Sequence, residues 1–136
     1  MSKQKPKQTL LAELKAAQGK KINFNDEQIK IVFNFNTLAI LQEAYPNPYE
    51  AVFGLESMDL AAIREVVYAC IKSANPDMEY TKDDIGLLLG YYSEQTIRED
   101  GTSEFTDITS TITDAVVEFF PAAKEDTEEA VDEAKN

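Results

Sequence analysis

The side chains from which catalytic sites are most often built are nearly missing from this chain. It has no histidine and a single cysteine, Cys70. Without imidazole, the usual serine and cysteine triads, histidine general bases and most zinc sites are excluded. Cys70 falls on an apolar stripe with Ile63, Val66, Val67, Ile71 and Ala74, so it reads as a buried structural thiol rather than a nucleophile. One cysteine also excludes an internal disulfide, which fits a cytosolic protein. The stretch NPDMEYTKDDIG (75–86) alternates oxygen-bearing side chains as a calcium loop does. Its sixth residue is not glycine, however, and its twelfth is Gly86 instead of a bidentate glutamate. Helix capping accounts better for Thr81, Asp83 and Asp84. The neighbouring acids Asp83/Asp84 and Glu128/Glu129 have acid–base chemistry, but such pairs on solvated faces are common. There is no phosphate-binding loop and no dinucleotide fingerprint. These residues lead us to expect no enzyme, no cofactor and no metal.

What remains distinctive is aromatic. Tyr45, Tyr49, Phe53, Tyr80, Tyr91 and Tyr92 fall near breaks between helical patterns. Tyrosines so placed either close a core with the hydroxyl in water, or form a contact patch for a partner's apolar helix or another copy of the chain. On the second reading the partner-binding residues are Tyr45, Tyr49, Phe53, Tyr91 and Tyr92. The run GLLLG (86–90) has the small-xxx-small spacing of close helix packing, and a tight contact within the fold explains it.

The elements that must position these residues are legible from periodicity. Thr9 caps a short helix to Ala17 in which Leu10, Leu14 and Ala17 share a face, with Gly19 after it. Ile22 and Phe24, then Ile29, Ile31, Phe33 and Phe35, alternate on either side of Asn25-Asp26-Glu27-Gln28, which predicts a β-hairpin. Its second set places Phe33 and Phe35 over the helices. Within IKIVFNFNTLAILQEAYPNPY (29–49) the register then becomes helical: Asn36 caps, Leu38, Leu41 and Tyr45 form the stripe, and Pro46 and Pro48 stop it. Pro48 opens one more turn to Phe53, closed by Gly54. Ser57 caps a helix ending at Asn75-Pro76, and Thr81 caps another, ending at Gly90 or running on to Gly101. A last helix spans 103–119, although its ITSTIT run is rich in β-branched residues and has strand character. Pro121 ends it.

The expected fold is therefore α+β, an N-terminal β-hairpin packed on a bundle of about four to five short helices. Residues 1–21 form a basic leader with a short helix, 22–120 a single globular domain, and 121–136 an acidic flexible tail. Charge follows these divisions: the leader has six lysines against Glu13 alone, while residues 22–136 hold seven basic and twenty-four acidic residues. An acidic body disfavours nucleic acid. Nothing approaches the length of a membrane span, and Leu10-Leu11-Ala12 is too short for a signal peptide.

The order of hairpin, FNFNTLAILQEAY, a proline/glycine break with an aromatic, SMDLAAIREVVYACIKSANPD and a capped TKDDIGLLL helix resembles the tail assembly chaperones of long-tailed (siphovirus-type) phages and prophages, particularly those of Gram-positive bacteria. The resemblance covers roughly residues 22–120, carried by Phe33 to Tyr45, Ser57 to Ala74 and Thr81 to Leu89. It implies a cytoplasmic factor, absent from the mature virion, that binds the tape measure protein, keeps it soluble and helps recruit tail tube protein. Self-association is a further expectation. The resemblance also implies a longer form made by a −1 frameshift: Ala134-Lys135-Asn136 is encodable as GCA AAA AAC, which contains the slippery heptamer A AAA AAC. Another spelling of those codons without a slip sequence removes that expectation. The alternatives are a virion part, such as a head–tail connector or tail completion protein, and a small acidic regulator that mimics DNA or blocks a host enzyme.

Overall fold

The computed structural model describes residues 7–17 and 19–120. The expectations for the acidic tail and Pro121 lie outside those residues. In chain order the elements are α1 (Lys7–Ala17), β1 (Lys20–Phe24), β2 (Glu27–Ile31), α2 (Phe35–Leu41), α3 (Pro48–Phe53), α4 (Leu60–Ala74), α5 (Lys82–Gln95) and α6 (Glu104–Phe119). The architecture is α+β, with one two-stranded antiparallel sheet and six helices among the described residues. β1 starts at Lys20, two residues before the first alternating residue, Ile22.

The hairpin closes through two residues, Asn25 and Asp26, both at positive φ (55° and 63°). That geometry matches the twist of the flanking strands, and Asn and Asp tolerate it well. The register pairs Ile22 with Ile29 and Lys20 with Ile31. Ile22, Phe24 and Ile31 are buried, which gives the sheet one covered face.

β2 stops at Ile31, earlier than the alternation suggests, because the backbone leaves the ladder to dock on a helix. The Val32 amide donates to the Cys70 carbonyl at 3.2 Å. Phe33 is buried, but Phe35 is 76% exposed and opens α2 instead of covering the helices. The cap is Asn34 and not Asn36. The Asn34 side chain accepts from the Thr37 amide at 3.2 Å, and Thr37 Oγ1 accepts from the Asn34 amide at 3.0 Å. Thr37 is fully buried and its hydroxyl also lies 3.1 Å from the Val32 carbonyl, so tertiary burial selects the earlier asparagine. α2 ends at Leu41, and turns carry the chain to Tyr45.

α4 is the central element. Ala62, Ile63, Val66, Val67, Ala69, Cys70 and Ile71 are all buried on it, and it packs against α2, α3, α5, α6 and β2. Its cap is Asp59, accepting from the Ala62 amide at 3.2 Å, whereas Ser57 donates back to the Gly54 carbonyl. Asn75 ties the far end down: its Nδ2 donates to the Ile71 and Lys30 carbonyls at 2.9 and 2.8 Å. α5 carries the expected cap at Thr81, reciprocated by Asp84, and runs through Gly90 to Gln95. α6 is helical despite its β-branched run. Ile108 and Ile112 are buried, while Thr109, Thr111 and Thr113 donate to carbonyls four residues back. Such back-bonding satisfies the hydroxyls without a strand ladder.

Candidate functional site

The six aromatic residues picked out at helix breaks separate into two environments. Tyr80 and Tyr92 are used inward, at the tip of the hairpin. Phe24 packs edge-on against Tyr80 and tilted against Tyr92, each at 5.8 Å between ring centroids. The Asn25 amide donates to the Tyr92 hydroxyl at 2.7 Å, and Asn25 Nδ2 donates to the Tyr80 hydroxyl at 3.1 Å. Tyr92 is only 4% exposed, and burial is the first cause raising its phenol above the ordinary value. It locks the hairpin turn onto α5 and presents no face to a partner, which corrects its place among the expected partner-binding residues. Tyr45 is half-buried; its phenol is raised first by burial and then by the carboxylates of Asp59 and Glu65. Its ring packs against the core cluster, so it too serves mainly as a lid.

Tyr49 and Phe53 are exposed, one helical turn apart on α3, and so share a face. The Tyr49 ring meets Phe120 at 5.8 Å, and Phe120 meets Phe119 at 4.8 Å and Phe33 at 6.0 Å. The aromatic surface thus begins at the end of α6 and crosses α3. It continues at the α3–α4 corner, where sequence reasoning missed two members. Phe53, Met58 and Leu60 are 67%, 56% and 70% exposed, and they frame one short connection.

Two backbone features hold that corner. A β-carbon on Gly54 would stand 2.4 Å from the Ala62 β-carbon, so only glycine lets the end of α3 press onto the first turn of α4. The Asp59 amide then donates to the Gly54 carbonyl at 2.9 Å. Met58 sits at φ 58°, a left-handed conformation that costs a non-glycine residue of its type about 1 kcal/mol or more. An exposed apolar side chain on a strained residue beside two other exposed apolar side chains is not what solvent exposure alone favours. Glu50, Glu56 and Asp59, on the same stretch of chain, are exposed and acidic. The nearest base in sequence, Arg64, lies one turn into α4 beside Glu65, at 3.9 Å. Glu65 is itself paired more closely with Lys82, at 2.9 Å.

Tyr91 lies apart from this corner. It is exposed on α5 together with Leu87, four residues earlier. The GLLLG pattern divides as well: a β-carbon at Gly86 would touch Arg64 Cδ at 3.4 Å, whereas one at Gly90 would meet nothing within 4 Å. The tight internal contact expected for both glycines therefore does not form at Gly90.

Cys70 is fully buried in the core, and burial pushes its thiol well above the usual range. Among the described residues no group of three or more acids or cysteines is gathered to hold a metal ion. A shallow cleft lined by Phe33, Ala115 and Phe119 is bridged at its mouth by Lys20 and Glu118, 2.9 Å apart. No described helix is long and apolar enough to cross a membrane. The chain matches no family model, no curated protein and no solved structure.

Proposed function

We propose that the protein is a tail assembly chaperone that holds apolar helical segments of a tape measure protein through the α3–α4 ledge. In this role it acts in the host cytoplasm, keeps the tape soluble, helps recruit tail tube subunits and leaves before the particle is complete. The observation that carries the reading is the ledge itself: Phe53, Met58 and Leu60 exposed together at a corner fixed by Gly54, with Tyr49 and Phe120 extending it. Exposed apolar side chains on a stretch that also exposes Glu50, Glu56 and Asp59 suit an amphipathic helix with basic flanks. The order of sequence motifs, which resembles that of tail assembly chaperones, supports this reading.

A ledge of this size binds weakly alone. Many copies along one long helical partner gain affinity by avidity, and the negative body keeps the coated complex from aggregating. The test is co-expression with a tape measure protein. The reading expects the partner to move into the soluble fraction and co-purify, and expects Phe53→Ser with Leu60→Ser to abolish both effects while the fold is retained. A partner equally soluble with and without this chain would overturn it. Detection of the chain in purified particles would make it a virion component instead.

A further inference from the structure

The end of the hairpin opposite its turn gathers lysines. Lys21 stands directly across from Lys30 in the strand register, and like charges so placed destabilise a ladder. The last turn of α1 comes over the same end, where Lys30 Nζ donates to the Lys15 carbonyl at 3.3 Å. Lys15 and Lys21 are exposed, and Lys30 is half-buried. Among the described residues, ion pairs engage Lys20, Arg64, Lys82 and Arg98, but neither Lys21 nor Lys30. Glu104 and Asp107 line a cleft beside Lys21, yet Asp107 is engaged by Arg98 at 2.6 Å. The sheet thus sets two opposed lysines without a carboxylate between them.

The chain returns to this end at the close of α6. Glu118 pairs with Lys20 at 2.9 Å, and Phe119 lines one cleft with Gly19 and Lys20. Phe119 and Phe120 both pack on Phe33, which lies two residues past the end of β2. The sequence that follows, residues 121–136, carries Glu125, Asp126, Glu128, Glu129, Asp132 and Glu133 against Lys124 and Lys135. Glu125 is five residues beyond Phe120, a reach of up to ~17 Å. Phe33 is itself only three residues from Lys30, so the acids start within range of the lysines.

We propose that the acidic segment 121–136 folds back within the same chain onto the open end of the hairpin, its carboxylates pairing with Lys15, Lys21 and Lys30. The occupant is this segment because its charge complements the lysines and because its root, at Phe119 and Phe120, is fixed beside them. Single exposed ion pairs are weak. A tether this short, however, holds the acids at an effective concentration in the millimolar range, and several pairs act together. The carboxylates also relieve the opposition of Lys21 and Lys30 across the strands. With the segment docked, the basic end of the hairpin is covered by the chain itself, and an acidic partner has to displace the segment to reach it. The contact does not use Phe53, Met58 or Leu60, so it stands or falls separately from tape binding.

The experiment is zero-length carbodiimide cross-linking of the full chain in dilute solution, read by mass spectrometry on an equal mixture of isotopically light and heavy protein. Acids of residues 125–133 should join to Lys15, Lys21 and Lys30 within one chain, at several-fold higher yield than to Lys82, which Glu65 holds on α4. Salt at about 0.5 M should remove most of that yield. A spin label on Glu128→Cys reads the contact without cross-linking, since the fully buried Cys70 stays unlabelled. The label should broaden the amides of residues 19–22 and 29–31. Lys21→Gln with Lys30→Gln should reduce that broadening several-fold with unchanged circular dichroism, because removing two opposed charges does not unfold the sheet. Cross-links that are absent, equal at Lys82, formed only between chains or indifferent to salt would each overturn the proposal. Broadening that the double variant leaves intact would overturn it too.

Discussion

The hairpin tip and the α3–α4 corner are built from the same kinds of residue and use them in opposite ways. At the tip, Phe24, Tyr80 and Tyr92 turn inward, and the tyrosine hydroxyls are consumed by Asn25. At the corner, Phe53, Met58 and Leu60 turn outward, and one of them is held in a left-handed backbone. The first region spends aromatic surface on stability. The second keeps apolar surface available at a cost in stability, which is the pattern expected of a binding site.

Substitutions should separate the two regions by size of effect. Tyr92→Ala removes a buried ring and the acceptor for the Asn25 amide, and should cost about 3–5 kcal/mol in chemical denaturation. Gly54→Ala forces a methyl group against Ala62 and should cost about 1–3 kcal/mol, together with loss of partner capture. Met58→Gly relieves the left-handed strain, so its stability should stay equal or rise by up to about 1 kcal/mol, while the ledge loses one contact. A stability loss there would mean that the Met58 side chain packs inward, and the contrast between the regions would fail.

A smaller effect tests the loop that joins α5 to α6. Arg98 Nη2 lies 2.6 Å from Asp107 Oδ2, and Nη1 lies 3.2 Å from Oδ1. The hydrogen bonds from Arg98 hold the Asp107 carboxyl below its ordinary value, and those from Thr102 do the same for Asp100. A carboxyl lowered on folding stabilises the folded state above its unfolded pKa of about 4, and that contribution is lost as pH falls through the lower folded value. Protection from hydrogen exchange at residues 98–104, taken relative to the intrinsic rate at each pH, should therefore fall only on acidification below about pH 4. The pair is exposed, so high salt should mute the change. A loss of protection already at neutral pH would contradict the assignment.

The sequence revealed the kinds of element more reliably than their starts. α3, α5 and α6 begin where proline or a cap with an acid-rich first turn says they should. α2 and α4 begin elsewhere because each start offers two polar candidates two residues apart. Asn34 wins over Asn36 because Thr37 is buried against the Val32 carbonyl. Asp59 wins over Ser57 in the corner where Gly54 approaches Ala62. Both choices depend on contacts that close only in three dimensions. The same limit governed the aromatic residues: proximity to a helix break marked them all, but only the tertiary arrangement separates Tyr92 from Phe53. Met58 and Leu60 gave no signal, since Ser57 read as the cap would have placed both inside a helix.

The most direct test of the outward ledge is partner capture by three purified proteins: the wild type, the Phe53→Ser/Leu60→Ser variant and Tyr91→Ser. Each is offered a tape measure protein as the proposed partner, at equal folded concentration. The account predicts that the Phe53/Leu60 variant keeps its denaturation midpoint within about 0.5 kcal/mol and loses capture, while Tyr91→Ser keeps both. Capture undiminished in the Phe53/Leu60 variant would contradict it.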